Sequence, residues 1–378
     1  MAFLRVSGLD VRTGWWRARQ QLHDIELMLD EGSLCTVFGA PGSGRSMLLR
    51  TLAGLHHPRR GQVVLDGRDI TGLPPGRRPV ALVPAMPVVY PALTVEENLA
   101  FPLRRQRASQ AQVNRRVTEI ASMLGVLDCL GMRAGMLPAS TAQRVAIGRA
   151  LVRDDLSLLL LDDALQVLDP ESRRRVVGCL RQIQRSRRMC IIVSTLDQPD
   201  VMGLGDEWVM LAEGRILQQG RATEFQQYPK TLAVARRLFD GTLNVLPSRS
   251  ENGQARFAGQ PLLQPSPPQL DIWLAELQAQ HPGASIEMAI RAENVVLGRP
   301  GLEGCIETQL LRIVDEGTWM RVHVTLPDSG VPLIARVPVD CPAAYDRVVQ
   351  AGHEQGGSLS LQLINRHSLF FVDGRLVQ

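Results

Sequence analysis

The sequence has almost no lysine and no long apolar run. Lys230 is the only lysine among 42 Lys and Arg residues, so a single arginine at a position where lysine is usual carries little weight by itself. No stretch approaches about 18 uninterrupted apolar residues, so no transmembrane helix is expected. The N-terminus, Met1-Ala2-Phe3-Leu4-Arg5, lacks the apolar core of a signal peptide.

Patterns typical of disulfide scaffolds, metal sites and nucleic-acid surfaces are also missing. The six cysteines are scattered without a Cys-x-x-Cys pair, which favours reduced thiols in the cytoplasm. The histidines and cysteines of the C-terminal part lack ligand spacing, so no metal site is expected there. A net charge of +4 without a basic block, and no interleaving of aromatic and basic residues, argue against nucleic-acid binding.

The length and the apolar pattern predict two domains. A chain of 378 residues that is 45% hydrophobic is long enough for more than one packed core. Up to residue 240, short apolar strands alternate with helical patterns. The predicted strands are 3–6, 23–29, 33–38, 62–65, 80–83, 157–161, 189–194, 209–211 and 215–218. The predicted longer helices are 47–54, 95–107 with Thr94 as cap, 110–124, 141–153 and 170–187.

From residue 241 the pattern changes to short β-type runs. Residues 248–268 are rich in polar residues, glycine and proline and are predicted to be a loop or linker. Seven short strands and one helix, 270–280, follow. Many short strands in such a length suggest a small barrel, so we expect one domain at 1–240 and a β-rich domain at 241–378.

A glycine-rich loop lies between the apolar run 33–38 and the helix that starts at Met47. Glycines at these positions let consecutive backbone N–H groups point inward at a helix N-terminus, where they bind phosphate. In the P-loop pattern the last two residues are lysine and a hydroxyl residue that binds Mg²⁺, and here they are Arg45 and Ser46. The predicted nucleotide-binding residues are Gly39, Ala40, Pro41, Gly42, Ser43, Gly44, Arg45, Ser46 and Met47.

Two further stretches follow this loop in a specific order. The first is Gln143–Leu151, which reads QRVAIGRAL, and the second is Leu158–Asp163, which reads LLLLDD. With them the chain resembles the nucleotide-binding subunits of ABC transporters, and more narrowly those of bacterial carbohydrate, glycerol-phosphate and polyol importers. The resemblance implies an α/β P-loop NTPase fold, with a RecA-like core and a helical subdomain at about 95–155. It also implies a β-rich, OB-like regulatory domain after this core.

In the family, two subunits face head to tail, and each ATP lies between the P-loop of one and the signature segment of the other. The resemblance implies that Ser46 and Asp162 bind Mg²⁺. Trp16 lies 23 residues before Gly39, where the family has an aromatic residue that stacks on adenine. A core or surface tryptophan is the alternative, and Trp15 is the weaker candidate.

Four positions that serve hydrolysis differ from the family's pattern. The expected general base is glutamate, but the chain has Asp163, which is one methylene shorter. Ala85 replaces a glutamine, and Leu196 replaces a histidine that donates to the transferred phosphate. Arg45 replaces the P-loop lysine and is bulkier. Asp163 is therefore only a weak candidate base, and the four changes together predict poor hydrolysis.

The signature segment is altered as well. The family has Leu-Ser-Gly-Gly-Gln where this chain has Leu137-Pro138-Ala139-Ser140-Thr141, so the glycines that admit γ-phosphate are missing. Ser140 and Gln143 fit a capping box, which would preserve the helix N-terminus. Ser140 either donates its hydroxyl to the ATP of a partner subunit or only caps its own helix. Leu168-Asp169 matches the end of a loop that touches the opposite subunit in the family.

The resemblance implies a degenerate ATP-binding subunit of an ABC importer for a sugar, glycerol, glycerol phosphate or related polyol. It would lie peripherally on the cytoplasmic face of the inner membrane. It would pair with an intact ATPase subunit, contact transmembrane permease subunits, and serve a periplasmic solute-binding protein indirectly. Two alternatives stay open. One is a working homodimeric ATPase that uses Asp163, with Thr195 or His23 in place of Leu196, and the other is a structural subunit that binds no nucleotide.

Overall fold

The computed structural model describes residues 3–13, 19–196, 204–262, 268–298, 304–353 and 357–377. The chain divides into two compact units, Met1–Gln227 and Tyr228–Gln378. Among the described residues, no helix is long and apolar enough to cross a membrane.

The first unit alternates strands with helices along the chain. Its described elements are β1 (Leu4–Thr13), β2 (Arg19–Leu29), β3 (Leu34–Phe38), α1 (Arg45–Leu52), β4 (Arg60–Leu65), β5 (Arg68–Asp69), β6 (Val80–Pro84), α2 (Val95–Arg105), α3 (Gln110–Leu124), α4 (Ala139–Leu151), β7 (Leu158–Asp162), α5 (Pro170–Arg187), β8 (Cys190–Thr195), β9 (Glu207–Ala212), β10 (Arg215–Arg221) and α6 (Ala222–Gln227).

The main sheet of this unit has the strand order β10-β9-β3-β8-β7-β6. Its strands from β9 to β6 run parallel, and β10 pairs with β9 in the antiparallel sense. Every residue of β3, β7 and β8 is buried, as expected for parallel strands that are covered on both faces. A second, antiparallel sheet has the order β2-β1-β4-β5, and its apolar residues share a core with Leu48, Leu49 and Leu52 of α1.

Helices α2, α3 and α4 pack in a separate core with α5 and one face of the main sheet. The predicted bounds of α3 and α5, 110–124 and 170–187, are confirmed. The predicted cap of α2 is confirmed too. The Thr94 hydroxyl accepts from the Glu97 N–H at 3.1 Å, and the Glu97 carboxylate accepts from the Thr94 N–H at 2.8 Å.

The second unit is rich in strands, as predicted. Its described elements are α7 (Leu232–Leu238), β11 (Leu243–Glu251), β12 (Gln254–Phe257), β13 (Gln260–Pro261), α8 (Pro268–Gln280), β14 (Ile286–Arg291), β15 (Val296–Leu297), β16 (Cys305–Asp315), β17 (Trp319–Thr325), β18 (Pro332–Pro338), α9 (Pro342–His353), β19 (Ser358–Gln362), β20 (Leu369–Val372) and β21 (Arg375–Val377). They form one sheet with the order β13-β12-β11-β14-β20-β21 and another with the order β15-β19-β16-β17-β18.

The prediction of a loop over 248–268 is wrong for 248–261, and residues 263–267 lie outside the described residues. β11, β12 and β13 form a meander there, with Ser248 paired to Phe257 and Phe257 paired to Gln260. The composition is polar, but buried residues still alternate with exposed ones: Ala255 and Phe257 are buried, and Gln254 is exposed. The alternation of buried and exposed side chains that is typical of a strand therefore persists in this segment, and its glycines occupy the turns between the strands.

A buried arginine closes the C-terminal end of α1. Arg78 is 2% exposed, and its guanidinium donates to the carbonyls of Thr51 at 3.0 Å and Leu52 at 2.8 Å. It also donates to the carbonyls of Leu73 at 2.8 Å and Thr71 at 2.9 Å. The last carbonyls of a helix have no partner within the helix, so Arg78 holds α1 to the turn that precedes β6.

We expect Arg78→Met to lower the free energy of unfolding by about 2–4 kcal/mol, because it leaves buried carbonyls without a donor. Urea unfolding followed by circular dichroism measures this change. Arg77→Met is the matched control, since Arg77 is exposed and adjacent. An equal loss in both variants would contradict the role given to Arg78.

Candidate functional site

Four parallel strands end at the same edge of the main sheet. Pro84 pairs with Asp162, Asp162 pairs with Ser194, and Phe38 pairs with Thr195. The glycine-rich loop and the residues after β6, β7 and β8 therefore leave the sheet side by side. Ligands of open α/β sheets bind at this carboxyl edge.

The glycine-rich loop fits closely against the strands beside it. A Cβ atom on Gly39 would lie 2.1 Å from the Leu211 carbonyl oxygen, so no other residue fits there. Gly44 has φ +105°, and a Cβ atom on it would lie 2.9 Å from the Leu22 side chain. As the N-cap of α1, Gly44 has no side chain to cap the helix, which leaves the N–H groups of the first turn for an anion.

An open groove of about 870 Å³ lies beside this loop. The residues that line it are Gln21, His23, Gly42, Ser43, Gly44, Arg45, Ser46, Met47, Arg50, Ala212, Glu213, Gly214, Arg215 and Leu217. The predicted loop residues 42–47 thus face a space large enough for a nucleotide, and Ala40 and Pro41 are exposed next to it. His23 is at the groove, whereas Trp15 and Trp16 lie outside the described residues.

Ser46 and Asp162, the two predicted Mg²⁺ ligands, lie together. The Ser46 hydroxyl donates to Asp162 Oδ1 at 2.8 Å. The Ser194 hydroxyl donates to the same oxygen at 3.1 Å and accepts from the Asp163 N–H at 3.0 Å. A hydroxyl and a carboxylate at the mouth of an anion-binding loop are the oxygen donors that Mg²⁺ prefers, so these residues fit the metal.

Arg45 does not point freely into the groove but pairs with Asp163. Its Nη1 lies 3.0 Å from Asp163 Oδ1, and the two side chains are only 6% and 17% exposed. Arg45 Nε is buried and has no hydrogen-bond partner among the described residues. Asp163 has φ +52°, a left-handed conformation that aspartate adopts more readily than most residues.

Ala85 and Leu196 border the same edge without a polar group. Ala85 follows β6 directly and Leu196 follows β8 directly, and both side chains are half-buried. Neither a methyl nor an isobutyl group can donate to an oxyanion or position a water molecule. The structure therefore brings the four altered positions to one edge of the sheet.

The predicted capping box at Ser140 is wrong. Helix α4 begins at Ala139, and its N-cap is Pro138, which has no side-chain hydroxyl or carboxylate that could cap the helix. The Ser140 hydroxyl instead donates to Asp169 Oδ2 at 2.7 Å. The hydrogen bond from the Ser172 N–H, and then that from Ser140, hold the pKa of Asp169 far below its usual value. Whether Ser140 also contacts a partner's ATP stays a prediction.

The sequence pattern assigns no role to Ser194, and it gives the Gln143 side chain only the capping role that the structure contradicts. The Ser194 hydroxyl is hydrogen-bonded to both Asp162 and Asp163. The sequence signal that could have revealed it is a polar residue at the carboxyl end of a buried strand. The buried Gln143 amide donates to the carbonyls of Pro84 at 2.9 Å and Ala164 at 3.0 Å. It thereby ties α4 to both chain segments that flank the carboxylates, a contact that spacing alone does not reveal.

Comparison with known proteins agrees with this geometry. Residues 22–166 match the family described as ABC transporter. The chain is 33% identical to the sn-glycerol-3-phosphate import ATP-binding protein UgpC of Cereibacter sphaeroides, over 89% of this chain and 91% of that protein. It is 31% identical to the spermidine/putrescine import ATP-binding protein PotA of Pseudomonas fluorescens, over 84% of each chain. It is 30% identical to the maltose/maltodextrin import ATP-binding protein MalK of Yersinia pestis, over 83% of this chain and 84% of that protein.

A solved structure shares the fold. The dimeric, post-hydrolysis ATP-binding cassette MJ0796, bound to ADP and Pi, superimposes with a TM-score of 0.54 at 22% identity. The match covers 58% of this chain and 98% of that one. The prediction of a P-loop NTPase fold followed by a β-rich region is therefore confirmed.

We expect Ser46→Ala to remove most of the Mg²⁺ dependence of nucleotide binding, because it deletes one of the two predicted oxygen ligands. The ATP dissociation constant in the presence of Mg²⁺ should rise about tenfold, while that measured in EDTA should stay nearly unchanged. Isothermal titration calorimetry under both conditions makes each protein its own control. A loss of equal size in EDTA would show that Ser46 serves the loop itself and not the metal.

Proposed function

Because this chain belongs to the ABC transporter family, among the ATP-binding subunits of importers, we propose that it is a degenerate member that binds ATP and hydrolyses it poorly. The loop 39–47 would hold the phosphates through backbone N–H groups. Ser46 and Asp162 would hold Mg²⁺, which neutralises phosphate charge when bound. Trp16 is proposed to stack on adenine.

The ion pair between Arg45 and Asp163 is the observation that carries this proposal. A general base must accept a proton from the attacking water and must lie within hydrogen-bond reach of it. Asp163 Oδ1 is instead held by a buried guanidinium at 3.0 Å. The oxygen that would accept the proton is therefore already occupied by a guanidinium donor.

The apolar positions around the pair support the same conclusion. Ala85 and Leu196 stand where the family has glutamine and histidine, and no hydrogen-bonding side chain replaces them at these two positions. Loss of one electrostatic contact to the reacting phosphate typically costs about 10²–10³ in rate. Several such losses at one edge of the sheet argue for binding without efficient turnover.

We further propose that the chain works in a heterodimer with an intact ATPase subunit. Two copies of this chain would combine a weakened catalytic set with a signature segment that lacks the family's glycines. In this segment, Pro138 has no N–H to donate, and the Ser140 hydroxyl is already directed at Asp169. An intact partner would supply the base and the signature that this chain lacks.

A groove in the helical part of the first unit suits a permease subunit. It measures about 610 Å³ and is lined by Val88, Phe101 and Arg149, among others. Met86, 76% exposed, and Val88, 57% exposed, stand beside it as apolar surface. Arg149 donates to the Val88 carbonyl at 2.6 Å and lies 4.4 Å from the Tyr90 ring centre, which fixes this loop. We propose that a transmembrane permease subunit docks a short helix, its coupling helix, beside this groove on the helical segment 95–153 and the turn at 91–93.

The importer is proposed to take up a sugar, glycerol, glycerol phosphate or related polyol. The names of the relatives span glycerol phosphate, maltose and polyamines, so the solute class follows from the resemblance and not from a residue of this chain. A periplasmic solute-binding protein would deliver the solute. The chain itself would be peripheral on the cytoplasmic face of the inner membrane, with its C-terminal unit as an OB-like regulatory domain.

We expect the purified chain to bind ATP but to hydrolyse it at less than about 1% of the rate of its complex with the co-purified ATPase and permease subunits. Binding is measured by calorimetry, and turnover by steady-state phosphate release at saturating ATP. As a gain-of-function control, the triple variant Ala85→Gln, Asp163→Glu, Leu196→His should raise the turnover of the isolated chain.

Steady turnover by the isolated chain that disappears in Asp163→Ala would overturn the proposal and favour a homodimeric ATPase. No ATP binding, either alone or in the complex, would favour a structural subunit. Co-purification tests the heterodimer separately. In a homodimeric transporter, copies of this chain would be the only ATP-binding subunits that co-purify, and this result would contradict the heterodimer.

A further inference from the structure

Arg45 and Asp163 are held together by rigid elements on both sides. Arg45 is the first residue of α1, and its side chain is 6% exposed. Asp163 follows the buried strand β7, and the Ser194 hydroxyl accepts its N–H at 3.0 Å. The 3.0 Å contact between their charged groups therefore results from the fold and not from a mobile surface side chain.

Two arginines at the loop lie against carboxylates before any anion binds. Arg45 pairs with Asp163, and Arg50 Nε lies 3.9 Å from Asp162 Oδ2. A triphosphate that enters the groove needs the guanidinium of Arg45, since this is the basic group of the P-loop pattern. That group is already occupied by a carboxylate of the same chain.

Arg45 nevertheless keeps one donor that Asp163 does not satisfy. Its Nε is buried and has no partner among the described residues. A buried donor without an acceptor is costly, and a phosphate group offers several acceptor oxygens to one guanidinium. An anion in the groove can therefore compete with Asp163 for this side chain.

We propose that Asp163 competes with the triphosphate for Arg45 and thereby sets the nucleotide affinity of this site, an inference that rests on the proposed function. Binding transfers the Arg45 guanidinium from the carboxylate to phosphate. Each binding event must break the ion pair and leave the Asp163 carboxylate facing an anion. The aspartate at this position is thus an internal anion that keeps affinity low, and its removal should tighten binding.

The test compares dissociation constants for ATP, measured by calorimetry on the full-length chain. Asp163→Asn keeps the size of the side chain and its tolerance of a left-handed backbone but removes the charge. We expect it to bind ATP about tenfold more tightly than the unchanged chain. Asp163→Ala is a second variant with the same expectation, in case the asparagine amide finds a new partner.

Glu213→Gln is the matched control. Glu213 lines the same groove and carries the same charge, but its substitution does not release Arg45. We expect its affinity to change by less than about twofold, because an exposed charge is screened by solvent. If Glu213→Gln and Asp163→Asn tighten ATP binding equally, the effect is general charge repulsion and the proposal is overturned. ATP binding that is unchanged or weaker in both Asp163 variants would overturn it as well.

The outcomes separate this inference from the proposed function. If the unchanged chain binds ATP and the Asp163 variants bind it no more tightly, the proposal of an ATP-binding subunit is retained. The proposal that Asp163 competes with the triphosphate for Arg45 is then rejected. If only the Asp163 variants bind, the competition stands and the claim that the natural chain binds ATP fails. If no variant binds, both are rejected.

Discussion

The parallel pairing of buried strands determines where the chemistry of this protein lies. β3, β7 and β8 are buried along their whole length, so both faces of each strand are covered. A shift in register would move apolar residues out of these covered positions and would offer them no other buried face. In the observed register, Asp162 and Ser194 stand side by side, and the glycine-rich loop leaves the neighbouring strand at the same level. The loop, the predicted metal ligands and the positions that differ from the family's catalytic pattern therefore meet at one edge of the sheet.

Much of the first unit could be predicted from the sequence, because its signals are strong and local. The bounds of α3 and α5 and the cap at Thr94 follow from apolar spacing and capping chemistry. The second unit was harder, since its strands at 248–262 carry polar residues and glycine-rich turns that resemble a linker. α9, at Pro342–His353, was missed because its apolar stripe is short and sits among strands.

The site could be predicted as a set of residues but not as a set of contacts. Motif spacing identified the loop and Asp162, since these depend on local chain geometry. Spacing could not show that Arg45 reaches Asp163, which is 118 residues away, or that Ser194 joins the two carboxylate positions. Ser140 shows the opposite failure. A local capping pattern is present, but the N-cap is Pro138, two residues earlier, and the Ser140 hydroxyl donates to Asp169.

The amide of Gln143 has a mechanical consequence. One nitrogen donates to the carbonyls of Pro84 and Ala164, so a rotation of α4 pulls on two backbone segments at once. These segments border the carboxylates, and the first continues into the loop beside the proposed docking groove. A displacement of α4 is therefore transmitted to the carboxyl edge of the sheet through main-chain atoms, although position 85 carries no glutamine.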